Sequence, residues 1–190
     1  MGARSMRQRR VFGGLAAALL LTTGLAACGD TDETEVAGEA EVGNETLATA
    51  LAAEDDLDVL NTAMSETGLG QVFDGSAAYT VLAPNDAAFE KATLNAEMEG
   101  DERNALLAAI LRDHIIPGAV TPDDISTAIK AQQGDIKMTT MGSGELTFSQ
   151  NDAGTLMVTD AEGHSATLTG APILATNGVA IPIDTVLRQP

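Results

Sequence analysis

The spacing of hydrophobic residues divides this chain into a helix-rich first half and a strand-rich second half. Before Gly134, apolar side chains recur every three or four residues, which is the period of one face of an α-helix. This spacing predicts helices over 46–53, 56–66, 86–92, 102–113 and 123–132. After Gly134 the period falls to two, which is typical of β-strands with alternating faces.

The second half has the pattern of a series of short hairpins. Helices followed by hairpin strands indicate an α+β fold, with an antiparallel sheet packed on helices. A parallel doubly wound sheet is disfavoured because no helices separate these strands. One earlier strand is predicted at 79–83, and Asn177-Gly178 is a tight-turn signal. The remaining strands are predicted over 145–149, 156–159, 166–169, 173–175 and 179–183.

Polar residues and glycines near the predicted helix ends indicate where two of the helices begin and end. Asp55 or Asp56 is available as the N-cap of the second helix, and Gly68 is expected to end that helix. Asn85 or Asp86 is placed to cap the third helix, because both side chains can accept hydrogen bonds from the first turn.

Composition narrows the classes of function. Of 190 residues, 28 are Asp or Glu and 10 are Lys or Arg, so the formal net charge is −18. A chain this acidic, with no dense basic stretch beyond its N-terminus, has no surface for a nucleic-acid backbone. Its single cysteine excludes an internal disulfide, a CxxC redox pair and a multi-cysteine zinc site. No cofactor and no metal ion are expected.

Residues 1–27 have the pattern of a secretory signal peptide. Four arginines, beginning with Arg4, precede an apolar run over 11–21. That run is too short for a membrane span, which needs about 20 apolar residues. The sequence LAAC at 25–28 then closely resembles the bacterial lipobox, in which cleavage precedes the cysteine and its sulfur receives a diacylglycerol. Cys28 is therefore expected to be a lipid anchor, and the alternative is an ordinary cleavage site.

An acidic segment follows this cysteine. Residues 29–45 carry seven acids and no base. Their like charges repel, and they have too little apolar surface to offset the entropy of ordering. We expect 28–45 to be a flexible tether and 46–190 to form the globular domain, which keeps 21 acids and 6 bases, a net charge of −15. The tether lacks the residue spacing of a calcium-binding loop.

Three segments of the domain resemble the signatures of the fasciclin (FAS1) domain family. The segment TVLAPNDAAF at 80–89 resembles the first signature, LRDHIIPG at 111–118 the central one, and NGVAIPIDTVL at 177–187 the closing strand. The resemblance covers residues 46–188. It implies a wedge-shaped β-sandwich of short antiparallel strands with helices packed around it. It also implies a secreted or surface-anchored protein that works in adhesion or cell-surface interaction.

The matched positions are the candidate structural or interaction residues. They are Pro84, Asp86, Phe89, His114, Pro117, Gly118, Asn177, Gly178 and Asp184. Pro84 is expected to end a strand and Phe89 to fill the core. His114 is expected to begin a strand and to be partly buried, and by resemblance its hydrogen-bond partner is Asp86. Asp113 stands where the family typically has Tyr, which weakens a carry-over of receptor binding.

Enzyme motifs are missing from the chain. The sequence GSG at 142–144 is not the G-x-S-x-G of hydrolases, no phosphate-binding glycine motif occurs, and neither His114 nor His164 belongs to H-E-x-x-H. His164 is expected to lie exposed in a turn. We therefore interpret the protein as a non-catalytic, lipid-anchored interaction or adhesion module of the cell envelope. In an envelope with two membranes it would lie on the outer membrane or face the periplasm.

Two kinds of partner follow from this interpretation. One is the membrane, reached through the N-terminal lipid, and the other is a cell-surface protein or polysaccharide. The alternative function is carriage of a small apolar ligand, such as a lipid or pigment, within the domain. A secreted enzyme is the remote alternative.

Overall fold

A computed structural model describes residues 43–92, 100–142 and 144–187. The predicted signal peptide, Cys28 and the tether up to residue 42 lie outside the described residues. Everything described belongs to one unit, Gly38–Pro190. Among the described helices, none is long and apolar enough to cross a membrane.

The first half of the described chain is mainly helical. Its α-helices are α1 (Leu47–Ala52), α2 (Asp58–Glu66), α3 (Asp86–Lys91), α4 (Gly100–Asp113) and α5 (Pro122–Gln132). Two 3-10 helices, Asp55–Leu57 and Leu69–Asp74, flank α2. The longer helices bury apolar residues at helical spacing, as Leu107, Ile110 and Leu111 do in α4. The predictions of these five α-helices are therefore confirmed, with small shifts at their ends.

The helix caps are only partly as predicted. Asn85 caps α3, because its Oδ1 accepts a hydrogen bond from the backbone N–H of Ala88 at 2.8 Å. The alternative cap, Asp86, is therefore excluded. The prediction that Asp55 or Asp56 caps the second helix is wrong, because both lie in the 3-10 helix that leads into α2 without a side-chain cap.

Eight strands form two four-stranded sheets within the described ranges. They are β1 (Tyr79–Pro84), β2 (Ile115–Pro117), β3 (Ile136–Thr139), β4 (Glu145–Gln150), β5 (Leu156–Thr159), β6 (Ser165–Thr167), β7 (Ile173–Ala175) and β8 (Gly178–Ile183). The first sheet has the order β2-β1-β8-β7 and the second β3-β4-β5-β6. The second sheet consists of antiparallel hairpins, as the period of two predicts. The α+β prediction is confirmed.

The centre of the first sheet differs from the predicted antiparallel pairing. β1 and β8 run parallel, in register from Tyr79 opposite Gly178 to Pro84 opposite Ile183. A parallel pair needs a long connection, and here the connection contains every element from α3 to β7. Alternation of side chains identifies the faces of a strand but not its direction, so the sequence pattern could not reveal this pair.

Strand β8 is buried on both faces, between two hydrophobic cores. Val179, Ile181 and Ile183 pack with α5 and the second sheet, whereas Ala180 packs in the core built by α1, α2 and α4. All four side chains are at most 4% exposed. The alternation predicted for 179–183 is confirmed, and the closing strand joins the two halves of the domain.

Candidate functional site

The first signature, residues 80–89, connects β1 to two helices. Pro84 ends β1, and Phe89 packs in the core, both as expected. Asp86 lies in the first turn of α3, and its Oδ1 accepts a hydrogen bond from the backbone N–H of Val59 at 3.0 Å. That N–H is in the first turn of α2, where a helix leaves its donors unpaired. Asp86 therefore joins the starts of two helices.

His114 is fully buried at the junction of α4 and β2. Its Nε2 accepts a hydrogen bond from the backbone N–H of Leu187 at 2.9 Å, and its Nδ1 donates to the carbonyl oxygen of Ile110 at 2.8 Å. The predicted partner, Asp86, is therefore wrong, and the prediction of partial burial understated the burial. Both partners are backbone groups, which carry no signal in the sequence.

These two contacts require the neutral imidazole. A backbone N–H can only donate, so Nε2 keeps its lone pair and the ring proton lies on Nδ1. Burial lowers the pKa of His114, against the opposing effects of the Ile110 carbonyl and the carboxylates of Asp113 and Asp160. The neutral ring thus fastens the closing segment, at Leu187, to the end of α4.

Asp113, which stands where the fasciclin resemblance implies a Tyr, is a buried carboxylate, only 4% exposed. Its Oδ1 accepts a hydrogen bond from the hydroxyl of Thr140 at 3.1 Å. Two glycines between β3 and β4 leave room for it: a Cβ on Gly142 would overlap the carboxylate, and one on Gly144 would approach Oδ1 to 3.0 Å. This position therefore presents no exposed side chain to a receptor.

Asn177 joins three segments that are distant in sequence. Its Oδ1 accepts a hydrogen bond from the backbone N–H of Leu47 at 2.7 Å. Its Nδ2 donates to the carbonyl oxygens of Phe73 at 2.6 Å and Gly75 at 2.7 Å. The tight turn predicted here is confirmed as the connection between β7 and β8. The side-chain contacts that tie this turn to α1 and to the end of the second 3-10 helix were not predicted, because their partners are backbone groups.

Gly178 and Gly118 are glycines for two different reasons. A Cβ on Gly178 would overlap the carbonyl oxygen of Tyr79 and would lie 2.9 Å from Cδ2 of Leu47. Gly118, which follows the exposed Pro117 at the end of β2, has φ +100°, a conformation that side chains with a Cβ rarely adopt. Both positions therefore serve backbone geometry.

Asp184 fastens the first sheet to the second. Its Oδ1 accepts hydrogen bonds from the backbone N–H of Thr167 at 2.7 Å and from the hydroxyl of Thr185 at 3.1 Å. An isolated bridge between Leu168 and Ile183 lies beside this contact. Burial opposes ionisation of Asp184, but the hydrogen bonds from Thr167 and Thr185 outweigh it and lower the pKa of the carboxyl.

One cluster outside the signatures has the geometry to hold a cation. Asp160, Glu162 and His164 lie between β5 and β6, and one ligand atom from each lies within 4.8 Å of the others. Nδ1 of His164 pairs with Oδ2 of Asp160 at 2.8 Å. The turn borders a cavity of about 240 Å³ that Asp113 and Leu187 also line. Sequence reasoning placed His164 in this turn but did not combine it with the two acids.

The signature side chains described above mostly bind backbone groups of distant segments. Through them α2 is joined to α3, α4 to the closing segment, α1 to the β7–β8 turn, and the first sheet to the second. Hydrogen bonds of this kind stabilise the fold by satisfying backbone groups of distant segments. The protein is therefore an α+β domain with two sheets, in which polar side chains of the signatures hold the helices and sheets together.

Comparison with known proteins identifies that class. The Fasciclin domain model matches residues 55–190, well over half of the chain. The chain therefore belongs to the Fasciclin domain family.

Two curated relatives and one solved structure illustrate the match. The chain is 29% identical over 143 residues to Transforming growth factor-beta-induced protein ig-h3 from Sus scrofa, covering 70% of this chain and 18% of that protein. It is 28% identical over 163 residues to Protein sll1483 from Synechocystis sp., covering 84% of this chain and 77% of that protein.

The structural relative is a FAS1 domain pair from the insect cell adhesion molecule Fasciclin I. The two folds agree with a TM-score of 0.57 at 24% identity, over 71% of this chain and 46% of that chain. This chain thus spans less than a fifth of the length of ig-h3 and less than half of the domain pair.

Proposed function

We propose that this protein is a lipid-anchored module of the cell envelope that mediates interaction or adhesion without catalysis. Fasciclin domains are modules related to cell adhesion and are generally non-enzymatic. The single observation that carries the proposal is the Fasciclin match over 55–190. In the same chain, a lipobox-like LAAC ends at the only cysteine, Cys28.

The tether suits this arrangement. Fourteen residues, 29–42, lie between Cys28 and Gly43, the first described residue that pairs with the domain, and they can extend to about 50 Å. Their six acids and the net charge of −15 over residues 46–190 oppose contact with an anionic membrane surface. The lipid would then hold the domain near the membrane while its charge keeps the domain in solvent, free to meet a partner.

Membrane fractionation of a Cys28→Ala variant tests the anchor. The wild-type protein is expected in the membrane fraction, with a mass increase equal to a diacylglycerol and any further acyl chain. Cys28→Ala is expected to lose the lipid mass and to leave the membrane fraction, whereas a Thr31→Ala control should behave as wild type. A Cys28→Ala protein that stays membrane-bound would contradict lipid anchoring.

Capture of partners from intact envelopes tests the interaction role. With residues 28–190 as bait, we expect a specific cell-surface protein or polysaccharide to be retained. The second candidate, carriage of a small apolar ligand, is favoured by a partly apolar groove of about 720 Å³ beside β7. Native mass spectrometry of protein from its own host separates the two, since a carrier should retain a lipid or pigment.

A further inference from the structure

The groove beside β7 has an apolar floor that water can reach. It runs between α1 with the 3-10 helix Asp55–Leu57 on one side and residues 169–174 on the other. Ile173 and Leu174 are only partly buried, although each also packs against one of the two cores. The apolar floor is formed by Ala50, Leu57, Pro172, Ile173, Leu174 and Pro182.

The rim of the groove is acidic. Glu45, Glu54 and Asp56 are exposed and line it, and none of the Lys and Arg residues in the described ranges is among its lining residues. The groove therefore combines apolar surface with a local negative potential that favours a cationic ligand.

Backbone pairing along this side of β7 is already taken. The N–H of Gly43 donates to the carbonyl oxygen of Leu174 at 3.0 Å, and the N–H of Thr176 donates to the carbonyl oxygen of Glu45 at 2.9 Å. An added strand would have to displace residues 43–45. A ligand in the groove would therefore be held by its side chains, with apolar groups on the floor and charged groups at the rim.

Charge decides between the candidate occupants. The chain's own segment 29–42 carries six acids and no base, so it is repelled by this rim. A second copy of the domain, at net −15, and an anionic lipid surface are disfavoured for the same reason. We propose, building on the interaction function above, that the groove docks a peptide segment of another envelope protein in which Lys or Arg residues alternate with aliphatic residues.

Binding of a short peptide of alternating Lys and Leu to residues 28–190 with Cys28→Ser tests this docking, by calorimetric titration. We expect the double variant Glu54→Lys/Asp56→Lys to bind about tenfold more weakly, because two carboxylates that attract the peptide become ammonium groups that repel it. The matched control Asp135→Lys/Asp152→Lys changes the net charge equally at exposed sites outside the groove. It should change the affinity less than about twofold.

The apolar part of the groove is tested separately. Ala171→Trp places an indole in the groove from an exposed loop position, so it should also weaken peptide binding about tenfold or more while the thermal melt stays unchanged. A peptide of alternating Ser and Leu should bind much more weakly than the Lys-Leu peptide. Equal binding of the two peptides would mean an uncharged apolar occupant, and equal weakening in both charge-reversal variants would mean non-specific attraction. Either result, or no binding at all, overturns the proposal.

Envelope capture separates this inference from the proposed function. If Glu54→Lys/Asp56→Lys retains the same envelope partner as wild type, the interaction function stands and the groove is not its site. If the wild-type bait retains no specific partner, the proposed function fails, whatever the peptide does.

Discussion

Replacing His114 with alanine should lower the free energy of unfolding by about 3–5 kcal/mol. The change removes the hydrogen bonds of 2.8 Å to Ile110 and 2.9 Å from Leu187. It leaves a carbonyl and an N–H buried without these partners, at about 1–3 kcal/mol each. Because the ring is fully buried, its loss also leaves a cavity, whose cost depends on how far the neighbours relax.

Calorimetry and urea unfolding at neutral pH measure this loss. For a domain of this size, the change should lower the melting temperature by roughly 10–15 °C. His164→Ala is the matched control, because it also removes a histidine, but one whose side chain is 37% exposed. Its pair with Asp160 is partly solvated, so its removal should cost less than about 1 kcal/mol.

A His114→Ala protein with the same melting temperature as the wild type would refute the reasoning. The two buried contacts would then contribute nothing to stability. An equal loss in His114→Ala and His164→Ala would also refute it, because burial of His114 would then make no difference.

Three further changes follow from the same structure. Burial lowers the pKa of His114, so below about pH 6.5 the unfolded chain binds a proton that the folded domain does not. The free energy of unfolding should therefore fall between pH 7.5 and about 5.5, by up to about 1.4 kcal/mol per pH unit. Urea unfolding of His114→Ala should lack this pH dependence, and an unchanged slope would contradict the assignment. Gly178→Ala should cost more than about 2 kcal/mol of stability, because the added Cβ would overlap the carbonyl oxygen of Tyr79. In the control Gly134→Ala the added Cβ meets no atom within 4 Å, so thermal melts should show a change of less than about 0.5 kcal/mol. Equal effects of the two changes would contradict the close packing at Gly178. Asp184→Ala should lower the free energy of unfolding by about 1–3 kcal/mol at pH 7. Because the pKa of the Asp184 carboxyl is lowered in the folded domain, this loss should shrink as the pH falls below about 3.9. An equal loss of stability in the control Asp152→Ala, at an exposed site, would contradict the role of the Asp184 hydrogen bonds.

Local structure was largely predictable from the sequence because local physics determines it. The three- and four-residue spacing in 102–113 follows from one buried helix face, and the structure places α4 there. The alternation in 179–183 follows from side chains on opposite faces of a strand, and β8 spans it. The fasciclin resemblance likewise depended on short contiguous segments, and the family match confirms it.

Contacts between distant segments could not be predicted in the same way. The parallel pairing of β1 with β8 depends on the path of the intervening chain. The partners of His114 are backbone groups of Ile110 and Leu187, and any residue type could supply them. The three contacts of Asn177 also lie on backbone groups, two of them in the second 3-10 helix region. A sequence motif names the side chain in such a contact but not the backbone group that it binds.

Surface features were the hardest to foresee. Asp160, Glu162 and His164 were visible in the sequence, but only the turn between β5 and β6 brings their ligand atoms within 4.8 Å. The groove beside β7 combines residues that are more than a hundred positions apart, such as Glu54 and Leu174. Its chemistry depends on this juxtaposition rather than on any local pattern.

Surface attachment and aggregation of host cells most directly test the central claim of an anchored interaction module. Deletion of the gene should reduce attachment or aggregation, the wild-type gene should restore it, and added soluble domain should compete with it. The Cys28→Ala gene should restore it poorly, because its product would be exported without an anchor. A deletion strain that attaches and aggregates as the parent does, with no competition by soluble domain, would contradict the account.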